Sequence, residues 1–425
     1  MRFKQIIQLA WSFAERTVPR LASAVLLLAL AFFVTPSVVG LYSWAILGVT
    51  LFQALTDVAI RQIAVHATVS SSGNQFLRRY RVYASVSGTV FVLGLLLVLW
   101  FTQSTDIRDN VWLLLPLAFA PIATNIGIIS IARLQMANEW KFLASGQLIA
   151  AIVSLAVTLP VMALTQSVLA SAIQLPLTEL LFSLLSNLRA RKVKAEVSTN
   201  APDRQFFRDY LGMSAYSALG WGQGQADRLL VGTISGTANL GYYSTATSIS
   251  RSLGDAMAAA TANVLRTRLP NTLGSDVSLT KQIVQRTLLP ATVLAGAGVL
   301  AVWCLNEFLL RQLLSSAWQP ALSAVPILAV SAISSVATWS LTTVLVVQGK
   351  SFRGLPIRVG AVLLGIPIAL ATLVSLEFAG YMVVARDILV MISMAALVRR
   401  WIPWMTIVLS IGTTAALTAA AYILF

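Results

Sequence analysis

Long apolar runs alternate with short polar breaks along almost the whole chain. Most runs reach about 20 residues, the length that a helix needs to cross the hydrocarbon core of a bilayer. The breaks contain Gly, Pro, Asn or charged residues, which favour turns. The pattern predicts thirteen membrane spans, at residues 6–35, 38–63, 80–101, 111–134, 143–164, 167–188, 207–235, 239–263, 286–308, 320–347, 355–376, 379–398 and 403–425.

A polar stretch after span 6 divides this series into two halves of six spans. The prediction is an all-α membrane protein with an N-terminal lobe (1–188), a cytoplasmic linker (189–206), a C-terminal lobe (207–398) and an additional C-terminal helix (399–425). GLYSWA at 40–45 recurs as GYYSTA at 241–246, and each segment opens the second span of its half. Because both halves begin on the same side, they form a parallel, pseudo-twofold repeat about the membrane normal.

Composition excludes an ordinary soluble domain. The chain is 57% hydrophobic and 11% charged, with a mean hydropathy of +0.81, as expected of a polytopic membrane protein. A single cysteine, Cys304, and a single histidine, His66, exclude an internal disulfide framework and a zinc site. No metal is expected.

The net charge of +15 marks topology and does not indicate a nucleic-acid partner. Lys and Arg are concentrated in alternate loops, whereas Arg108 and Arg311 are the basic residues of the opposite loops. The positive-inside rule therefore predicts a cytoplasmic N-terminus. The outer loops are short and leave no room for a catalytic domain, which argues against an integral membrane enzyme of glycan assembly. No catalytic residue is assigned.

Charged residues lie inside the first and second spans of each half, on faces with helical spacing. The candidate site consists of Arg16, Arg20, Arg228 and Arg251 with the acidic residues Glu15, Asp57, Asp227 and Asp255. Each such charge at a helix centre costs about 2.5 to 3.5 kcal/mol on insertion scales. Span 1 alone would carry about 8 kcal/mol for its three charges. These spans should therefore face a polar cavity or protein partners rather than lipid.

Three of these charges have a potential partner on their own helix. Asp57 with Arg61, and Arg251 with Asp255, are spaced i, i+4 and can neutralise each other. Asp227 and Arg228 are adjacent and point to different faces, so they need partners on another helix.

Two other polar features are interpreted as structural. Arg386 and Asp387 in span 12 are taken as a packing or gating pair. The Ser/Thr row of span 10, which consists of Ser331, Ser335, Thr338 and Thr342, is taken as a close helix contact.

Two segments resemble bacterial polysaccharide exporters. FVTPSVVGLYSWAILGVTLFQALTDVAIRQ at 33–62 resembles their first outer turn and second helix, and QADRLLVGTISGTANLGYYSTA at 225–246 resembles their seventh-to-eighth helix turn with its Asp-Arg pair. These are the O-antigen and lipid-linked oligosaccharide flippases of the multidrug/oligosaccharidyl-lipid/polysaccharide (MOP) exporter superfamily. Departures are Thr35-Pro36, where Gly-Pro is common, and a thirteenth span.

The resemblance implies two six-helix lobes around a cationic cavity. It implies alternating access that moves undecaprenyl-pyrophosphate-linked oligosaccharide from the cytoplasmic to the outer leaflet of the bacterial inner membrane, for O-antigen, capsule or exopolysaccharide. Its partners would be that lipid, membrane lipids, and the polysaccharide polymerase and chain-length machinery. No cofactor is expected.

The four candidate arginines would engage the pyrophosphate, because guanidinium groups stay charged and donate bidentately to phosphate oxygens. The acidic residues would balance charge or carry a coupling H⁺ or Na⁺. The alternative is a cation-coupled small-molecule or drug antiporter of the same fold, for which an acid-dominated cavity is expected.

Overall fold

The computed structural model describes most of the chain and confirms its helical architecture. The described residues are Trp11, Val18, 22–56, 71–137, 139–192, 203–269, 277–348 and 350–424. They contain helices and turns and no β-strand. The first part of span 1, the end of span 2 and the predicted linker therefore lie largely outside the described residues.

Each predicted span has a helix in the described residues. Their bounds are α1 Ala22–Phe33, α2 Pro36–Leu55, α3 Ser71–Thr102, α4 Asp109–Met136, α5 Trp140–Thr165, α6 Leu169–Ala190, α7 203–235, α8 237–268, α9 Val277–Leu305, α10 Gln319–Val347, α11 Phe352–Ala371, α12 Leu376–Leu397 and α13 Trp404–Leu424. Ten of these segments are long and apolar enough to cross a membrane. The multi-pass membrane protein predicted from the pattern is confirmed.

Two helices begin well before the predicted spans. Helix α3 starts at Ser71 rather than at residue 80, and α9 starts at Val277 rather than at residue 286. The prediction began these two spans at their basic residues and left the residues before them in the loops. These side chains are good helix formers and reach water from the first turns, so the helix continues past the apolar stretch.

The turn between α7 and α8 is a single residue, Gly236, with φ 87° and ψ 174°. This backbone conformation is essentially restricted to glycine because a Cβ atom would clash with the backbone. The predicted break between spans 7 and 8 is therefore present, and it separates two helices that otherwise run continuously from 203 to 268.

By their internal contacts, residues 1–225 and 226–425 form two compact units. In the first unit, α4 packs against α3 and α6, and α5 packs against α6. The start of α7 belongs to this unit: the Tyr210 hydroxyl and the Ser214 hydroxyl both donate to the carbonyl oxygen of Leu55, at 3.1 and 2.7 Å. The predicted lobe boundary at 189–206 stays a prediction.

In the second unit, α10 is the central helix. It packs against α9, α12 and α13 and is buried along nearly its whole length. Small side chains make this possible, since Ala, Ser and Thr dominate its sequence and allow neighbouring backbones to approach. Trp303 donates its indole N–H to the carbonyl oxygen of Pro326. The side-chain amide of Asn306 donates to the carbonyl oxygen of Leu322, which has no helical donor because Pro326 lacks an N–H.

Candidate functional site

The second unit contains a buried cluster of charged and hydroxyl side chains from α7, α8, α10 and α12. We call it the charge network. Its members are Asp227, Arg228, Tyr243, Thr247, Arg251, Ser335, Arg386 and Asp387. They lie in helices otherwise made of apolar and small residues.

Asp227 is the most buried carboxylate of the network, with 2% of its surface exposed. Its Oδ1 accepts a hydrogen bond from the backbone N–H of Arg228 at 2.9 Å, and its Oδ2 accepts one from the Tyr243 hydroxyl at 2.9 Å. The Nη1 of Arg386 lies 3.4 Å from the same Oδ2. Three donors around one buried carboxylate supply the partners that its burial requires.

Arg386 and Asp387 join Asp227 to Arg251. The Nε and Nη2 atoms of Arg386 both lie 3.0 Å from Oδ1 of Asp387. On the other side, Nη2 of Arg251 lies 3.5 Å from Oδ2 of Asp387 and 3.4 Å from the Ser335 hydroxyl. Asp387 therefore sits between two guanidinium groups from different helices.

Arg228 has a different kind of partner. Its Nε and Nη2 atoms donate to the Thr247 hydroxyl oxygen, at 3.1 and 2.7 Å. Thr247 in turn donates to the carbonyl oxygen of Tyr243 on its own helix, at 2.7 Å. Thr247 carries no charge, so this contact orients the guanidinium of Arg228 without neutralising it.

Small residues bring the helices close enough to build this cluster. A Cβ on Gly254 would lie 2.4 Å from the Cβ of Ala332, so α8 and α10 cross with almost no space between them. This crossing lies within one turn of Arg251 on α8 and of Ser335 on α10. Gly365 of α11 likewise approaches the backbone of Ala226 and Asp227, with its ideal Cβ position 3.5 Å from the Asp227 nitrogen.

The structure brings together three of the predicted site residues, Asp227, Arg228 and Arg251. Asp255 lies one helical turn beyond Arg251 on α8. The remaining four, Glu15, Arg16, Arg20 and Asp57, lie outside the described residues. The expectation that Asp227 and Arg228 have partners on other helices is confirmed, since these are Arg386 of α12 and Thr247 of α8.

Sequence reasoning placed Arg386 and Asp387 apart from the site, and the structure places them at its centre. Ser335, interpreted as a packing residue, contacts Arg251. The available signal was the same as for Asp227 and Arg228: two ionisable residues next to each other inside an apolar helix. Tyr243 and Thr247 carried no such signal, because hydroxyl groups are common in membrane helices.

A second polar contact lies in the first unit. The indole N–H of Trp221 donates to the Thr50 hydroxyl at 3.1 Å. With the bonds from Tyr210 and Ser214 to the carbonyl oxygen of Leu55, this shows that polar groups of α2 and α7 meet within the first unit.

This fold is that of the MOP superfamily of membrane transporters. The chain is similar to the lipid II flippase MurJ in its inward closed conformation, with a TM-score of 0.69 at 11% identity, over 99% of this chain and 93% of that one. It is also similar to a multidrug resistance MATE family transporter in its inward-facing conformation, with a TM-score of 0.63 at 14% identity over 96% and 99% of the two chains. A third similar structure is a MOP superfamily transporter from Pyrococcus furiosus, described as having a binding pocket of reverse polarity, with a TM-score of 0.61 at 15% identity over 97% and 94%.

The family is narrower than the fold. The family model described as polysaccharide biosynthesis protein matches residues 29–323, more than half of the chain, so the chain belongs to this family. No curated protein sequence matches it significantly. The protein is a multi-pass membrane protein of the polysaccharide biosynthesis family, and it shares the fold of MOP superfamily transporters.

Proposed function

We propose that this protein flips an undecaprenyl-pyrophosphate-linked oligosaccharide from the cytoplasmic to the outer leaflet of a bacterial inner membrane. The observation that carries the proposal is the charge network inside the membrane-spanning second unit of a polysaccharide biosynthesis protein. Buried ionisable residues in transmembrane helices are expensive and usually mark a transport pathway. The similarity in fold to a lipid II flippase adds support.

Within the network, Arg228 is the guanidinium best suited to bind a pyrophosphate oxygen. Arg386 is 5% exposed and has two carboxylates around it, so an incoming anion would have to displace both. Arg251 has one carboxylate at 3.5 Å and is partly exposed. Arg228 is also partly exposed and contacts a hydroxyl, so a phosphate can approach without breaking one of the ion pairs seen here.

The acidic residues then have the role of balancing charge. Arg228, Arg251 and Arg386 are matched in number by Asp227, Asp255 and Asp387, so the empty site carries little net charge. A balanced site can release the anion at the outer leaflet, whereas three unpaired arginines would hold it. In this proposal Glu15, Arg16, Arg20 and Asp57 keep the binding and charge-balancing roles that the sequence predicts for them, and coupling to H⁺ or Na⁺ uses an acidic residue outside the Arg386 pairs.

The alternative is a cation-coupled small-molecule or drug antiporter, since multidrug transporters share the fold. Such a protein needs carboxylates that are free to bind a cation. Asp227 and Asp387 already have a guanidinium partner, and this favours the flippase.

The function is tested by removing the gene from its host. The flippase predicts loss of surface polysaccharide and accumulation of lipid-linked oligosaccharide that is accessible only from the cytoplasmic leaflet. Expression of the wild-type protein should restore both. Normal surface polysaccharide together with a new sensitivity to drugs would contradict the flippase and support the antiporter.

The site is tested in the same host with Arg228→Ala, Arg228→Lys and Arg251→Ala. We expect Arg228→Ala to lose most export, Arg228→Lys to retain part of it, and Arg251→Ala to be intermediate. The matched control is Arg311→Ala, which removes an arginine from the loop between α9 and α10. Full export by both alanine variants at normal expression would contradict the assignment of the site but not the function.

A further inference from the structure

The first unit contains a cavity of about 430 Å³ that is separate from the charge network. It lies where α2 ends, beside the N-terminal part of α3 and the start of α7. Its lining residues are Thr56, Arg79, Tyr80, Tyr83, Ala84, Ser87 and Tyr210. The volume is within the range of about 300 to 1,000 Å³ typical of small-molecule sites.

The walls of this cavity are held in place by contacts within the unit. Tyr80 and Tyr210 pack edge to face, with ring centroids 5.2 Å apart. The Tyr210 hydroxyl donates to the carbonyl oxygen of Leu55, so its ring cannot swing away without breaking this bond. These two contacts connect α7 to both α3 and α2 beside the cavity.

The lining is largely apolar, and its polar groups are one guanidinium and several hydroxyls. The hydroxyls of Thr56 and Ser87 donate to carbonyl oxygens of their own helices, at 2.7 Å in both cases. Three tyrosine rings and Ala84 supply most of the remaining surface. No amide or carboxylate side chain lines the cavity among the described residues.

One basic residue lines the cavity, and two more follow closely in the same helix. Arg79 is in the lining, and Arg78 and Arg81 are its neighbours in the sequence of α3, all three with exposed side chains. Among the described residues no acidic side chain forms an ion pair with Arg79. A largely apolar cavity with a basic residue in its lining suits a molecule that has one aliphatic part and one anionic part.

We propose that this cavity binds an anionic glycerophospholipid of the cytoplasmic leaflet, with its phosphate on Arg79 and an acyl chain against Tyr80, Tyr83 and Tyr210. Basic pockets between transmembrane helices on the cytoplasmic side recognise such headgroups through the same charge pairing. A largely apolar lining beside a single guanidinium favours a phospholipid over the lipid-linked oligosaccharide. This proposal stands without the proposed function.

The test uses the full-length protein in nanodiscs of phosphatidylcholine, with or without phosphatidylglycerol. Lipid retained after extraction is counted by native mass spectrometry, and the Tm is measured in parallel. The variants are Arg79→Ala, Arg79→Lys and Tyr83→Ala. The control is Arg353→Ala, an exposed arginine at the start of α11 that does not line the cavity.

We expect the wild type and Arg353→Ala to retain phosphatidylglycerol selectively and to gain Tm from it. Arg79→Ala should bind it about fivefold more weakly, as loss of one juxtamembrane arginine contact implies, and Arg79→Lys should keep most of the affinity. Tyr83→Ala should lose retention of both lipids at this site.

Three outcomes would overturn the proposal. They are equal retention of the two lipids by the wild type, unchanged phosphatidylglycerol retention in Arg79→Ala, and displacement of phosphatidylglycerol by added polyprenyl phosphate at lower concentration. The last result would assign the cavity to the lipid carrier. If Arg79→Ala does not fold, Arg79→Gln and the lipid selectivity of the wild type decide the question in the same way.

Discussion

The guanidinium of Arg386 on α12 lies 3.4 Å from the carboxylate of Asp227 on α7, and the two residues are 5% and 2% exposed. At this depth each charge would be costly without the other, so the close pairing of the two residues stabilises both. It links the two helices that carry the adjacent Asp-Arg and Arg-Asp pairs of the second unit. The charge network is therefore both a candidate binding site and a structural connection.

Removing one partner of this pair should destabilise the protein strongly. We expect Asp227→Ala to reduce the free energy of unfolding by about 3 to 5 kcal/mol, since Arg386 would keep a buried charge with one carboxylate fewer. The double variant Asp227→Ala with Arg386→Met should recover part of this loss. Chemical unfolding in detergent, followed by tryptophan fluorescence, measures each value.

The control for this cycle is a less buried ion pair of the same kind. Glu307 and Arg311 are spaced i, i+4 between α9 and α10, with 3.0 Å between Oε2 and Nη1, and their side chains are 42% and 27% exposed. Ion pairs that water reaches contribute about 0 to 1 kcal/mol, so Glu307→Ala should have a smaller effect than Asp227→Ala. If Asp227→Ala and Glu307→Ala destabilise equally, the buried pair does not have the structural role assigned to it.

The spans and the turn at Gly236 were predictable because hydrophobic length and glycine act locally, within a few residues of the chain. The need of Asp227 for an interhelical partner was also predictable, since adjacent residues on a helix point to different faces. The identity of that partner was not predictable, because Arg386 is remote in sequence. Nothing local distinguishes an Arg-Asp pair at the centre of a site from one that only packs. Side-chain contacts between distant helices depend on packing, which periodicity does not encode.

The crossing of α8 and α10 should tolerate no side chain at Gly254. An added Cβ would meet Ala332 at 2.4 Å from its Cβ and 2.9 Å from its Cα, and backbone cannot move aside as a flexible side chain can. We expect Gly254→Ala to cost about 1 to 3 kcal/mol and to reduce export by displacing Arg251. Gly296→Ala is the control: its Cβ meets nothing within 4 Å, so a gain of about 0.5 to 1 kcal/mol is expected from helix propensity. Similar losses in both variants would show that close packing is not the cause.

The turn at Gly236 should be sensitive to any other residue for a different reason. Its Cβ would meet no atom within 4 Å, so space is not limiting, but φ is 87°. We expect Gly236→Ala to cost about 1 to 3 kcal/mol through backbone strain alone. Gln166, with φ 46° after α5, is the converse case, and Gln166→Gly should be neutral or slightly stabilising. The Tm values of Gly236→Ala and Gln166→Gly, measured in the same detergent, separate backbone strain from packing. A Gly236→Ala variant as stable as the wild type would rule out the strain.

The side of the membrane on which the basic loops lie can be determined with single cysteines in a Cys304→Ser background. The positive-inside rule places the turns after α3 and α5 outside and those after α4 and α6 in the cytoplasm. We therefore expect a membrane-impermeant maleimide to label Ser104→Cys and Gln166→Cys in intact cells, and to label Ala137→Cys and Arg191→Cys only after permeabilisation. All four positions are exposed, so differences in labelling report sidedness rather than burial. Labelling of Ala137→Cys in intact cells would reverse the orientation and place the lipid cavity beside Arg79 in the outer leaflet.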